Sequence, residues 1–208
     1  MNLKKRFARK NEDFRMAYTD PDLLETMCEK ITSWLPELPF EYVVVCIGTD
    51  RSTGDALGPF IGTFFSELKP KHITVYGTLN EPVHATNLNS YIQHINQQHK
   101  NPYIIAVDAC LGKSNSVGSL ITGIGPIKPG AALNKPLPPV GDIHITGVVN
   151  VSGFMEYSIL QNTRLSIVVA MAKKVVAILD QIDQQLHCNQ PMPAILSSRE
   201  IPQSTADI

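Results

Sequence analysis

No apolar run in the chain approaches the ~18 residues a membrane span needs, so no membrane partner is expected. The start is basic (Lys4, Lys5, Arg6, Arg9, Lys10), but no apolar segment follows it, so it does not read as a signal peptide. No Cys-x-x-Cys pair exists: Cys28, Cys46, Cys110 and Cys188 are scattered, which excludes a zinc ribbon or a dithiol redox motif. Reduced thiols in a cytoplasmic compartment are the expectation. Neither sign of charge prevails, with Lys plus Arg 18 against Asp plus Glu 19, and nucleic acid is not an expected partner. Gly-Lys-Ser/Thr and Gly-x-Gly-x-x-Gly are both missing, which argues against nucleotide binding. No paired-histidine spacing suggests a metal centre, and no cofactor is expected. No internal repeat is visible.

What is present suits one folded domain: 208 residues, 43% of them hydrophobic. Residues 1–19 read as an irregular basic lead-in, 20–186 as a single α/β domain, and 187–208 as a polar tail. Asp20-Pro21 has the chemistry of a helix start. Leu23, Leu24, Met27, Ile31 and Trp34 then recur at helical spacing, a stripe that suits the core or a second copy in a homo-oligomer. Tyr42–Ile47 is an apolar strand. A loop of glycines and acids follows, and a helix is predicted over 56–68, with Pro59 tolerated in its first turn. A strand over 72–76, a helix over 87–98 and a strand over 103–107 complete a βαβαβ pattern, the mark of a parallel sheet with covering helices. Beyond it, 117–124 alternates like a strand, and a proline-rich loop from Pro126 to Pro139 has the length of a functional loop. A strand over 142–149, a helix over 150–160 and a long helix over 165–186 finish the domain, although the β-branched start of the last could be strand instead.

Two strands of the pattern end in acids. Tyr42–Ile47 leads to Gly48-Thr49-Asp50-Arg51-Ser52-Thr53-Gly54-Asp55, and Tyr103–Val107 leads to Asp108. Taken singly, Asp55 suits a helix dipole and Asp108 a loop-fixing hydrogen bond. Taken together, both follow buried strands on the rim where open α/β sheets bind ligands. Neighbouring carboxyls share a proton, because both cannot ionise at close range. One can then act as base on a water while the other donates a proton, which suits amide hydrolysis of a protein or peptide substrate. The amides of Gly48, Thr49, Gly54 and the rest of the 54–58 turn are candidates to face substrate and a developing oxyanion, or to bind an anion instead. Cys110, just past Asp108, would need a lowered pKa to act as a nucleophile. Of the six histidines, His84 and His144 are the candidate metal ligands or catalytic partners. His94 and His99 read as solvated.

The stretch from Cys46 to Pro59 resembles the YyaC family of sporulation proteins, also described as spore proteases. Ala106–Gly112, Gly123–Gly130 and Gly141–Asn150 add to the resemblance, which covers most of the chain. The wider superfamily joins the germination protease of spore formers to the hydrogenase maturation endopeptidases. The resemblance implies a three-layer α/β/α sandwich with a mostly parallel central sheet, phosphorylase/hydrolase-like. It matches the protease's acid-containing motif through Gly48, Thr53, Asp55, Ala56, Leu57, Gly58 and Pro59, and its second acid through Val107-Asp108-Ala109. It thereby implies Asp55 and Asp108 as the catalytic pair of an aspartate-type peptidase in sporulation or germination, in a cytoplasm that includes the forespore or spore interior. In the maturation enzymes the corresponding acids bind nickel with a histidine. A nickel-binding endopeptidase is thus one alternative, and a non-catalytic sporulation regulator on the same fold is another.

Overall fold

Strand β2 (Glu41–Cys46) is apolar at consecutive positions because both of its faces are covered. Val44 and Cys46 point into one hydrophobic cluster, Val43 and Val45 into another on the opposite face. The computed structural model describes residues 13–36, 41–129 and 137–188. Among these, β1 (Phe14–Ala17), β3 (Ile73–Tyr76), β4 (Pro102–Gly112), β5 (Ser119–Ile124) and β6 (Ile143–Val151) join β2 in one sheet. The order is β1-β5-β6-β4-β2-β3. The pairs β2–β3, β2–β4 and β4–β6 are parallel, and β5–β6 and β1–β5 are antiparallel. The expected α/β architecture with a mostly parallel sheet is therefore present.

Helices α1 (Leu23–Thr32), α2 (Leu57–Glu67) and α5 (Leu165–Cys188) cover one face, and α3 (Leu88–Gln98) covers the other. In α1 the buried residues are Leu23, Met27, Cys28 and Ile31, so the amphipathic stripe packs on its own domain. Leu57, Ile61 and Phe65 do the same for α2. Burying each such side chain stabilises the fold by about 1.5–3 kcal/mol before chain entropy is counted. Gly58 brings α2 against the end of β2, because a Cβ there would collide with the Ile47 carbonyl. That close approach fixes where the loop between β2 and α2 must lie.

The structure corrects several boundaries. Residues 14–17, expected within an irregular lead-in, pair with β5 as the edge strand β1. Their four-residue alternation is too brief to signal a strand without its partner. Strand β4 runs on to Gly112, so Asp108 lies inside a strand rather than at its end. Strand β6 reaches Val151, and the helix expected over 150–160 is only α4 (Glu156–Gln161). Helix α5 is helical from Leu165 onward, so its β-branched start is not strand. The basic stretch at 4–10 lies outside the described residues, as does the tail after Cys188. No helix among the described residues is long and apolar enough to cross a membrane.

Candidate active site

The carboxyl end of the sheet opens into a cavity of about 600 Å³. The β2–α2 loop forms one wall, residues 82–86 a second, residues 108–111 of β4 a third, and α4 with Lys128 closes the rim. Asp55 and Asp108 both line it. So does His84.

Loop closure places Asp55. Gly48 adopts φ +148°, and a Cβ there would strike the Asp55 carbonyl. This lets Thr49 N–H donate to that carbonyl at 3.1 Å, drawing the two ends of the loop together. Asp108 is placed by register, opposite Thr146 on β6. Its Oδ1 accepts from the Ala109 amide at 2.8 Å. This bond lies within the strand rather than fixing a loop, and it uses only one carboxyl oxygen. No side-chain hydrogen bond holds the Asp55 carboxyl among the described residues.

Burial pushes the Asp55 carboxyl up to about 6. Asp108 is held well above the ordinary carboxylate range, first by burial and then by the negative charge of Asp55, against the opposing Ala109 hydrogen bond. The charge interaction shows that the two acids sit within electrostatic reach of each other. The two carboxyls titrate as a coupled pair, and of the two Asp108 is the one that burial and its neighbour's charge both favour in the protonated form.

The structure engages three of the proposed oxyanion donors. Gly48 N–H is engaged by the Val83 carbonyl at 2.8 Å, Thr49 N–H by Asp55, and Gly54 N–H by the Leu160 carbonyl at 2.8 Å. These amides build the loop and have no hydrogen left for substrate. Arg51 and Lys128, which also line the cavity, are the cations available there instead. Cys110 lines it too, but burial pushes its thiol pKa up. Asp108 adds to that rise, while Thr146 and Arg15 oppose it. A thiol held protonated does not serve as the nucleophile.

The histidines separate cleanly. His84 faces the cavity with Nδ1 2.9 Å from the Thr86 hydroxyl. His144 does not line the cavity. Its Nδ1 donates to the Gly125 carbonyl at 3.0 Å, and its Nε2 lies 3.8 Å from the Asp13 carboxylate. His99 is not solvated: Glu41 at 2.8 Å and the Tyr76 hydroxyl at 3.0 Å hold its ring. Among the described residues no group of three or more His, Cys, Asp or Glu could hold a metal ion. The donor set therefore does not fit the nickel site implied by the maturation enzymes.

Sequence reading missed two parts of the wall. Thr146 faces the pair only through the β4–β6 register, which has no local signal. Lys128 lies in the proline-rich loop whose length had marked it as functional, although nothing singled out the lysine.

A mostly parallel sheet with an acid pair in a cavity at its carboxyl rim defines an α/β protein with a candidate site at that rim. The chain belongs to the family described as "Protein of unknown function (DUF1256)", which matches residues 15–178. It is 61% identical over 130 residues to "Uncharacterized protein YyaC" of Bacillus subtilis, a match covering 62% of this chain and 63% of that relative. The chain thus spans just under two thirds of that relative's length, and the resemblance to the YyaC family holds. A NiFe hydrogenase maturation protease, HycI from Thermococcus kodakarensis, superposes with a TM-score of 0.49 at 17% identity, over 70% of this chain and 93% of that one.

Proposed function

We propose that the chain is a peptidase of aspartate type. The observation that carries this reading is the Asp55/Asp108 pair, two half-buried carboxyls in one cavity with both pKa values raised and one raised partly by the other. Ionised Asp55 takes a proton from a water as its oxygen attacks the peptide carbonyl carbon. Asp108 holds Oδ1 on the Ala109 amide, which leaves Oδ2 to carry the proton and donate it to the carbonyl oxygen. The proton gained by Asp55 then passes to the departing amine as the carbon–nitrogen bond breaks, and the hydroxyl formed from the carbonyl oxygen returns its proton to Asp108. Protonated Asp108 takes the part of the oxyanion donor that the loop amides cannot play. The resemblance carried by the motifs around Asp55 and Asp108 supports sporulation or germination as the setting of such hydrolysis.

The test is digestion of a peptide library by the purified chain beside Asp108→Asn, read by mass spectrometry. Cleavage at defined bonds that vanishes in the variant is the expected result. Equal cleavage by both proteins, or none by the unaltered chain at any pH from 5 to 8, overturns the reading.

A further inference from the structure

Strand β4 outlasts its neighbour. β2 pairs with it from Pro102 to Val107 and then ends, while β6 stays alongside to Gly112. Main-chain groups alternate sides along a strand. Val107 C=O accepts from Ile47 N–H on the β2 side, and Gly112 C=O accepts from Ser152 N–H on the β6 side. Ala109 and Leu111 therefore aim their main-chain groups where β2 would continue. The cavity lies there instead, and both residues line it. Asp108 already takes the Ala109 N–H. Among the described residues nothing pairs with three groups that face the cavity: Ala109 C=O, Leu111 N–H and Leu111 C=O.

We infer that an extended polypeptide docks here as an added strand, pairing with Ala109 and Leu111 beside the acid pair. An extended chain offers N–H groups at every second residue, which matches the two free carbonyls, and a C=O between them for Leu111 N–H. Nothing but main chain has that period. The chain leaving β6 at Ser152 carries exposed Phe154, Met155 and Tyr157, of which Tyr157 lines the cavity and offers apolar surface to the side chains of such a peptide. This inference rests on the peptidase reading for its substrate class. It adds that an unfolded or extended segment is recognised through its backbone before sequence is read.

Docking is tested apart from cleavage. Immobilised full-length Asp55→Asn protein selects binders from a random nonapeptide library with acetylated and amidated ends. A selected peptide is remade with a single N-methyl group at each position in turn, and affinities are read by fluorescence anisotropy. The expected result is a loss of about tenfold at two positions two residues apart, with little change between them. Leu111→Pro in the same background should also weaken binding by about tenfold, since its N–H faces no strand and proline is tolerated at such an edge. If that variant fails to fold, the N-methyl series still decides. A series without the two-residue period, or a library that yields no binder, overturns the inference. A selected peptide that shows the period but is left uncut by the unaltered chain overturns the peptidase reading and leaves the docking intact. Cleavage with an aperiodic series does the reverse.

Discussion

The two ends of the parallel strands treat carboxylates in opposite ways. At the amino ends, Asp183 accepts from the Lys71, His72 and Ile73 amides at 2.8–2.9 Å, Asp142 from the Ile104 amide at 2.9 Å, and Glu41 from the Lys100 amide at 3.1 Å. At the carboxyl ends, Asp108 accepts from one amide, its own neighbour's, and Asp55 has no such bond. The cause is the direction of the chain. Parallel strands leave unpaired N–H groups where they begin and unpaired C=O groups where they end, so an acid finds more donors at the start. The amides that could have served Asp55 and Asp108 close the β2–α2 loop instead. Acids at one end fasten the fold, and acids at the other are left with raised pKa values and a cavity in front of them.

The hardest test of this contrast is to neutralise each kind of acid. Asp55→Asn or Asp108→Asn should lower kcat/KM on a cleaved peptide by on the order of 10³-fold, the range for loss of a positioned acid or base. Neither should lower the melting temperature at pH 7, and Asp55→Asn should raise it. A loss of both activity and stability in Asp55→Asn would make it a structural acid like Asp183 and erase the distinction.

Asp183→Ala is the converse. The side chain is 4% exposed and serves three amides, so its removal strands buried donors. A loss of about 3–5 kcal/mol in urea unfolding is expected, with activity per folded molecule unchanged. A change below about 1 kcal/mol would show that water replaces the carboxylate.

Only the carboxyl-end half of this contrast was legible in the sequence, and the limits are physical: Asp183, Asp142 and Glu41 find their amides through distant partners. An apolar run ending in an acid marks a strand reaching the rim, which is how Asp55 and Asp108 stand out. Chain order alone does not show that β4 continues, because Asp108-Ala109-Cys110-Leu111-Gly112 has little β-branched character and is held as strand by β6. The engagement of Gly48 and Gly54 also depends on distant partners, Val83 and Leu160. A glycine-rich loop looks the same whether its amides are free or engaged. His99 is a similar case: beyond a polar helix face it reads as solvated, yet Glu41 and Tyr76 meet it from other strands.

The pH dependence sharpens the comparison further. Asp55 binds its proton more tightly folded than unfolded, since burial raises its pKa from 3.8 to about 6. The folded state therefore holds more protons between those values, and stability falls as pH rises through that window. The Asp55 contribution is on the order of 2 kcal/mol once solvent at the cavity mouth is allowed for. Asp108 extends the same decline to higher pH. Activity should follow a bell, rising through about 6 as Asp55 ionises and falling as Asp108 loses its proton. Chemical unfolding of the unaltered chain and of Asp55→Asn, at steps from pH 4 to 7, isolates the Asp55 share by difference. A flat difference would mean that the carboxyl is solvated in the folded state.

The smallest effect concerns a residue of the cavity wall that belongs to neither kind. Ser52 is 5% exposed, and its hydroxyl has no hydrogen-bond partner among the described residues. A buried hydroxyl without a partner opposes folding, so Ser52→Ala should leave stability unchanged or raise it by up to about 1 kcal/mol. The informative quantity is the activity of that variant. The loop carrying Ser52 also carries Asp55, and the Ala56 amide donates to the Ser52 carbonyl at 2.9 Å. A peptide entering the cavity would press on this loop, and a small shift would turn the hydroxyl toward it. If Ser52→Ala is as stable as the unaltered chain but has a KM raised about threefold to tenfold with kcat unchanged, the orphan hydroxyl is a reserved donor for bound substrate. Unchanged kinetics would make it a packing residue whose oxygen serves no purpose in the site.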